Sequence, residues 1–184
     1  MRFRDAWRTD EAAPELRSIL EAGWFEPGRS ILSLGCGDGS NEAWLAEQGC
    51  TVLGVDLSPS AIARARKRFA EPDGLEFEVV DVTKANAGPD TRFDGVLDRG
   101  CLHGIPPMLV GVYAGNVSRW TRPGGSLVLI MRLGEDATMA QRLEQIDDLL
   151  GSDFTLAHSQ GIGMPGEHRG EPIDGVLVRL VKRD

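Results

Sequence analysis

A glycine-rich turn near the start of the chain carries the first residues that could do chemistry. It reads Gly35-Cys36-Gly37-Asp38-Gly39 and lies between a predicted strand and a predicted helix. Glycines in such a turn let the backbone approach a ligand closely, and the helix behind it offers unpaired N–H groups to polar ligand atoms. Because glycine turns also serve packing, this pattern by itself leaves the ligand open.

Two aspartates follow the next two predicted strands. Asp56 ends the second strand, about 20 residues after Gly35, where a carboxylate in a Rossmann-like sheet accepts hydrogen bonds from ribose hydroxyls. Asp81 ends the third strand, where it can accept from the exocyclic amine of an adenine. Either aspartate could instead cap a turn or a helix. Suitable groups at three neighbouring strand ends favour an adenosine-containing ligand.

The residue after the turn discriminates between cofactors. A dinucleotide-binding turn has glycine or alanine there to seat a pyrophosphate, whereas this chain has Ser40 and places Gly39 one residue earlier. S-adenosylmethionine has no phosphate, so a turn that holds a sugar and an amino-acid tail is sufficient for it. The turn therefore favours S-adenosylmethionine over a nicotinamide dinucleotide.

The elements that must position these groups are short apolar strands that alternate with helices, a pattern typical of βαβ units and a parallel sheet covered on both faces. The predicted strands are 30–34, 51–55, 75–80, 93–97, 126–131, 154–157 and 176–181. The predicted helices are 41–48, 59–69, 107–120 and 137–150. No helix separates the last two strands, which indicates an antiparallel pair. We predict a flexible hairpin loop for the Gly- and Pro-rich segment 161–172 between them.

The predicted fold class is α/β. It is a Rossmann-like, doubly wound, mostly parallel seven-stranded sheet with an antiparallel C-terminal strand and helices on both faces. We predict a single domain, with an N-terminal lid or helical segment over 1–29, a cofactor-binding core over 30–150 and a strand pair over 151–184.

Bulk properties narrow the class of partner. The formal net charge of −8 opposes general affinity for nucleic acid. No apolar run approaches the roughly 20 residues that span a bilayer, so we expect no membrane segment and a cytoplasmic location. The three cysteines lack any Cys-x-x-Cys spacing, so we expect neither a disulfide framework nor a metal site. A small-molecule substrate is favoured, and the oligomeric state is left open.

Taken together, the motifs resemble those of class I S-adenosylmethionine-dependent methyltransferases. The segments that carry the resemblance are ILSLGCGDGS, VLGVDLSPSAIARAR, VVDVT, FDGVLDRGCLHGIPP and WTRPGGSLVLIM, within residues 30–132. The run Asp98-Arg99-Gly100, followed by Leu102-His103, is similar to the thiopurine methyltransferase and tellurite-resistance methyltransferase branch. Members of that branch methylate small, soft nucleophiles, and natural-product methyltransferases share the signature.

The resemblance implies a set of cofactor contacts, with S-adenosylhomocysteine as the product. The implied residues are Gly35, Cys36, Gly37, Asp38, Gly39, Asp56, Leu57, Asp81, Val82 and Asp98. One position departs from the pattern. Many members carry an acidic residue where this chain has Ser33, and that carboxylate helps hold the cofactor's amino group. Asp38 or backbone carbonyls are candidates to replace it.

The resemblance also implies that the acceptor lies near the ends of the first and fourth strands. Arg99 suits an anionic or carbonyl-bearing substrate, and a surface salt bridge is its alternative role. His103 could act as a base or a substrate donor, or could cap the following helix. Asp98 could line the methionine pocket or pair with an arginine. Trp7 could lie in a substrate lid or pack on the sheet. Cys101 has no neighbouring base and is expected to be a small packing residue rather than a nucleophile.

Several functions remain open at this point. The first is methyl transfer to a small-molecule acceptor, with a thiol or another soft nucleophile favoured and in-line displacement assisted by alignment and desolvation. The second is an O- or N-methyltransferase of a biosynthetic pathway. A third is an enzyme that binds S-adenosylmethionine without transferring methyl, such as a cyclase. A nicotinamide-dependent oxidoreductase is disfavoured by Ser40.

Overall fold

Seven strands form one mixed sheet in a computed structural model that describes residues 12–70, 73–134, 137–168 and 171–184. The strand order is β3-β2-β1-β4-β5-β7-β6. The strands are β1 (Ser30–Leu34), β2 (Thr51–Asp56), β3 (Leu75–Val79), β4 (Phe93–Arg99), β5 (Thr121–Arg132), β6 (Phe154–His168) and β7 (Glu171–Lys182). The helices are α1 (Pro14–Glu21), α2 (Ser40–Glu47), α3 (Pro59–Arg68), α4 (Val110–Trp120) and α5 (Met139–Leu150).

Strands β1 to β5 are parallel, and β7 and β6 close the sheet in antiparallel pairing. The carboxyl ends of β1, β2, β3 and β4 therefore meet at one edge of the sheet, and the glycine turn follows β1 at that edge. In open α/β sheets this edge is where ligands bind. The predicted fold class is confirmed.

Two apolar clusters flank the sheet, one on each face. On one face, buried residues of α1, α2 and α3, including Leu16, Leu45 and Ile62, pack against the strands. On the other face, α4 and α5 contribute buried residues such as Val117 and Ile146. This is why the central strands are apolar without alternation: both of their faces are covered. None of the helices in the described ranges has the length and apolar character needed to cross a bilayer.

Local sequence signals set where the helices begin. The Ser58 hydroxyl accepts a hydrogen bond from the Ala61 N–H at the start of α3, and Pro59 is its first residue. A capping box between Thr138 and Gln141 starts α5 two residues later than the sequence predicted. Short 3-10 turns over Leu102–Gly104 and Pro107–Leu109 precede α4, so the predicted helix start at 107 is a 3-10 turn.

The predicted hairpin loop over 161–172 is wrong. Strand β6 continues to His168, and β7 already begins at Glu171. The ladder persists through the glycines, since Gly161 pairs with Val176 and Gly163 with Asp174. A register shift between Met164 and Glu167 absorbs the irregular part. Cross-strand pairing thus overrides the low strand propensity of glycine and proline. The segment Arg122–Gly125 likewise lies inside β5, although it contains a proline and two glycines.

Candidate functional site

The glycine turn adopts backbone conformations that only glycine reaches without strain. Gly35, Gly37 and Gly39 have φ angles of +67°, +61° and +84°. A Cβ atom at Gly35 would lie 3.1 Å from the Cβ of Cys101, and one at Gly39 would lie 2.6 Å from the Phe77 ring. A Cβ at Gly37 would meet nothing within 4 Å. The turn is therefore packed on two sides and open at its middle.

Asp56 lies beside this turn and holds it in place. Its two carboxylate oxygens accept hydrogen bonds from the N–H groups of Gly37, at 2.9 Å, and Ser58, at 2.8 Å. One side chain thus ties the glycine turn to the start of α3. Each oxygen retains a second lone pair for a ribose hydroxyl. The place of Asp56 at a strand end is predictable from the sequence, whereas its contact with the Gly37 N–H is seen only in the structure.

Three further residues lie at the same edge of the sheet: Leu57 after β2, and Asp81 and Val82 after β3. Asp81 accepts hydrogen bonds from the N–H and the hydroxyl of Thr83, and these bonds hold the pKa of its carboxyl below the usual range. Leu57 follows Asp56 and is 67% exposed, so an apolar side chain lies open between two carboxylates. Val82 is buried. Two carboxylate acceptors, an open glycine and an exposed apolar side chain fit a cofactor that carries a ribose and an adenine.

Asp38 is directed towards α3. Its carboxylate accepts hydrogen bonds from the Ser40 hydroxyl and from the Arg68 guanidinium, both at 3.1 Å. Arg66 donates to the backbone carbonyl of Phe77. Arg68 therefore fastens α3 to the glycine turn, and Arg66 fastens α3 to β3.

Asp98, at the end of β4, is fully buried and lies at the centre of a hydrogen-bond network. Its oxygens accept from the N–H groups of Cys101, at 2.8 Å, and Leu102, at 3.0 Å, and from the Tyr113 hydroxyl at 2.6 Å. Burial raises the pKa of Asp98 to about 6, and these three donors oppose the shift. The contacts fix the turn after β4 against α4 and give Asp98 a positioning role.

That turn abuts the glycine turn through the contact of Cys101 with Gly35. Burial and the negative charges of Asp98 and Asp56 raise the pKa of the Cys101 thiol, and burial with Glu42 and Asp56 does the same for Cys36. Both thiols stay protonated at neutral pH, so neither is set up as a nucleophile.

Arginines gather at the carboxyl ends of β4 and β5. Arg99 pairs in register with Ile130, so Arg132, two residues further along β5, lies on the same face of the sheet. The Arg99 guanidinium lies 3.8 Å from the carboxylate of Glu15 on α1, with exposed fractions of 16% and 6% for the two side chains. Burial and the charge of Arg99 lower the pKa of Arg132. The salt bridge of Arg99 is therefore mostly buried rather than on the surface.

His103 lies against Gly100, where a Cβ would come within 3.3 Å of its ring. Partial desolvation of the ring and the positive charges of Arg132 and Arg142 lower the pKa of His103. His103 is therefore a neutral imidazole at pH 7, able to accept a proton.

Trp7 lies outside the described residues. Within the described residues, no His, Cys, Asp and Glu side chains form a group that could hold a metal.

The burial of two glutamates, Glu15 and Glu42, is not evident from the sequence. Neither carboxylate oxygen of Glu15 makes a hydrogen bond within the described part of the chain. Glu42, on α2, is 1% exposed and accepts a hydrogen bond from the Ser33 hydroxyl at 2.5 Å. The available signal was position: Glu15 precedes Leu16 and lies four residues before Ile19, both on the apolar side of α1.

Comparisons with known proteins agree with this geometry. A family model described as a methyltransferase domain matches residues 31–125. In an alignment of 204 positions, gaps included, the chain is 30% identical to thiopurine S-methyltransferase of Stutzerimonas stutzeri. The alignment covers 93% of this chain and 85% of that one. It is also 30% identical over 131 residues to 2-heptyl-1-hydroxyquinolin-4(1H)-one methyltransferase of Mycobacteroides abscessus. That match covers 70% of this chain but only 56% of the relative's length.

Solved structures show the same fold. The 1,6-didemethyltoxoflavin-N1-methyltransferase of Burkholderia thailandensis, with its substrate and S-adenosylhomocysteine bound, has a TM-score of 0.74 and 26% identity. That match covers 98% of this chain and 82% of the other. A protein studied in the conversion of a disulfide bond into a thioacetal group during echinomycin biosynthesis has a TM-score of 0.80 at 24% identity, with coverage of 96% and 84%.

Proposed function

This chain belongs to the S-adenosylmethionine-dependent methyltransferases, and we propose that it methylates a small-molecule acceptor that reacts as an anion, a thiol in the first place. The structural observation on which this acceptor rests is the group of arginines at the ends of β4 and β5. Arg99 and Arg132 share one face of the sheet there, and the charge of Arg142 reaches His103. Acceptors that must be cationic or that carry an ammonium group are disfavoured at such an edge.

The cofactor side of the site is formed by the glycine turn and the carboxylates of Asp56 and Asp81. When bound, S-adenosylmethionine supplies a methyl group on a positively charged sulfonium. The chain's own contribution is placement: Asp56 braces Gly37, and Asp98 fixes the turn that carries Arg99 and Cys101 next to Gly35. Alignment of this kind is the main means of accelerating an in-line displacement.

The acceptor side favours a thiol for an electrostatic reason. Nearby guanidinium groups stabilise a thiolate and lower the pKa of an acceptor thiol, so a larger fraction is nucleophilic at neutral pH. A thiolate needs no general base. The Arg99 guanidinium offers several hydrogen-bond donors to an anionic group. The match to a thiopurine S-methyltransferase over 93% of the chain supports the same acceptor class.

An O- or N-acceptor is the second candidate, and Glu15 is the observation that favours it. A buried carboxylate with two oxygens that lack hydrogen bonds within the described residues can accept a proton from a hydroxyl or a ring N–H. His103, held neutral, is another acceptor of that proton. The relatives named for a hydroxyquinolone and for didemethyltoxoflavin belong to this chemistry.

The test is formation of S-adenosylhomocysteine with a panel of acceptors. We expect an aromatic thiol to react faster than an aliphatic thiol, a phenol or a primary amine, with a rate that follows the thiolate fraction as pH rises. A faster phenol or ring N–H acceptor would favour the second candidate. Cofactor binding without product from any acceptor would favour an enzyme that binds S-adenosylmethionine without methylating.

A double variant tests the role of Arg99. Because Arg99→Met alone leaves Glu15 buried without its positive partner, the cleaner variant is Glu15→Gln/Arg99→Met. Loss of a hydrogen bond to a charged acceptor costs about 1.5–3 kcal/mol, so KM for the thiol should rise about tenfold to a hundredfold. Affinity for S-adenosylhomocysteine should not change. Arg29→Met, an exposed arginine at the opposite edge of the sheet, is the matched control. An unchanged KM contradicts the proposed role.

A further inference from the structure

Ser33 and Glu42 form a buried pair directly beneath the glycine turn. Ser33 is the second-last residue of β1, and Glu42 lies in the first turn of α2, so the two residues flank the turn from both sides. Both are almost fully buried, at 3% and 1% exposed. The Ser33 hydroxyl donates to Oε1 of Glu42 at 2.5 Å. The carboxylate on α2 therefore lies next to the strand position at which the resemblance to class I methyltransferases implies an acidic residue.

The second carboxylate oxygen of Glu42 lacks a hydrogen-bond partner among the described residues. Oε2 is shielded from solvent and makes no hydrogen bond with any residue that the structure describes. Leaving a buried carboxylate oxygen without a hydrogen bond costs about 1–3 kcal/mol or more. A bound ligand, ion or water that hydrogen-bonds to the oxygen removes that cost. The charges of Asp38, in the turn, and Asp56, on β2, act on the same carboxyl. Both charges that raise the pKa of Glu42 are negative, and negative charges of this kind favour a bound cation.

We propose that Glu42 binds the ammonium group of the cofactor's amino-acid portion, the role that the family resemblance implies for an acidic residue at the position where this chain has Ser33. Ser33 holds the Glu42 carboxylate in the required orientation by donating to Oε1, which leaves Oε2 for the ligand. The proposed ammonium-binding carboxylate thus lies on α2 rather than on β1, within the first helical turn after the glycines. Asp38 is the less suitable replacement because Ser40 and Arg68 already engage its carboxylate.

The proposal has a protonation consequence. Burial, with smaller contributions from Asp38 and Asp56, raises the pKa of Glu42 to about 7 in the free protein. An ammonium group binds the ionised carboxylate, so protonation of Glu42 competes with the ligand. Affinity should fall about tenfold between pH 8 and pH 6, because a group of pKa 7 is about 90% ionised at the first and about 10% at the second. The thiol of Cys36, which also interacts electrostatically with Glu42, stays protonated throughout this pH range.

Calorimetric titration with two ligands separates this role from a general effect on the turn. S-adenosylhomocysteine carries the ammonium group, and 5′-methylthioadenosine has the same nucleoside without the amino-acid portion. In Glu42→Gln, which keeps an oxygen to accept from Ser33, we expect affinity for S-adenosylhomocysteine at pH 8 to fall at least tenfold. Affinity for 5′-methylthioadenosine should stay within about twofold, and the pH dependence should disappear.

Two further variants make the test decisive. Glu47→Gln removes an exposed carboxylate from the same helix and should behave as the parent. The exchange Ser33→Asp/Glu42→Ser returns the carboxylate to β1 and should regain most of the affinity, with a melting temperature near that of the parent. The proposal is overturned if Glu42→Gln keeps the parent's affinity and pH dependence, or if 5′-methylthioadenosine loses as much affinity as S-adenosylhomocysteine.

Discussion

Replacement of Tyr113 by phenylalanine would test the network that holds the turn after β4. Tyr113 is fully buried on α4, and its hydroxyl donates to Asp98 at 2.6 Å. The substitution removes that donor without leaving a large cavity. Where Asp98 is ionised, the lost bond is to a charged acceptor and is worth about 1.5–3 kcal/mol; where Asp98 is protonated it is an ordinary bond worth about 0.5–1.5 kcal/mol.

The sign of the pH dependence follows from the direction of the pKa shift. The pKa of Asp98 is raised from its ordinary value of 3.8 to about 6 in the folded protein. The stability linked to this shift is complete at pH values below the unfolded pKa and is lost as pH rises through the folded one. Removing the Tyr113 donor raises the folded pKa further. We therefore expect Tyr113→Phe to lower the free energy of unfolding by about 1 kcal/mol more at pH 8 than at pH 5.5.

Urea denaturation at the two pH values measures this difference, with Thr121→Val as the matched control. Thr121 is also fully buried, but its hydroxyl donates to a neutral carbonyl, that of Val117, at 2.8 Å. Its loss should cost about 0.5–1.5 kcal/mol at both pH values. Tyr113 is the single tyrosine of the chain, so the ultraviolet absorbance of the phenolate reports on it alone. Burial and the charge of Asp98 raise its pKa well above 10, and no phenolate signal should appear before unfolding. Equal destabilisation of Tyr113→Phe at both pH values would refute the reasoning.

Two more substitutions test the glycine turn. Asp56→Ala removes the acceptor of the Gly37 and Ser58 N–H groups, so calorimetric affinity for S-adenosylmethionine should fall at least tenfold, by about 1.4 kcal/mol or more; unchanged affinity would contradict the bracing role. Gly39→Ala places a methyl group 2.6 Å from the Phe77 ring at a φ of +84°, so the free energy of unfolding in urea should fall by about 1–3 kcal/mol, whereas an equally stable variant would show that the turn can relax.

The parallel half of the fold follows from signals that lie close together in the chain. Apolar runs such as 30–34, with a glycine turn behind them, predict β1 and the loop that follows it, and Ser58-Pro59 predicts the start of α3. These elements are specified by their own residues, so they can be found without knowing what packs on them. The carboxylates at the ends of β2 and β3 are predictable for the same reason.

The antiparallel half and the buried glutamates depend on partners far away in the sequence. Gly161 and Gly163 lie in a strand only because β7 supplies hydrogen-bond partners for them. Glu42 resembles a surface residue of a helix until Ser33 is known to face it. Asp98 likewise appears as one more carboxylate at a strand end, and only the structure shows that its oxygens receive the N–H groups of a turn and the hydroxyl of Tyr113.

The position of β7 has a consequence for how the domain opens. Strand β7 lies between β5 and β6, so within the described residues β6 pairs by hydrogen bonds with β7 and with none of the parallel strands. The two strands form a hairpin that pairs locally and docks on β5 as one cooperative unit. The glycine turn follows β1, which is separated from β7 by β4 and β5, while Arg132 is paired directly with Gly175 of β7. Undocking of the hairpin would therefore free Arg132 before it disturbs the glycine turn.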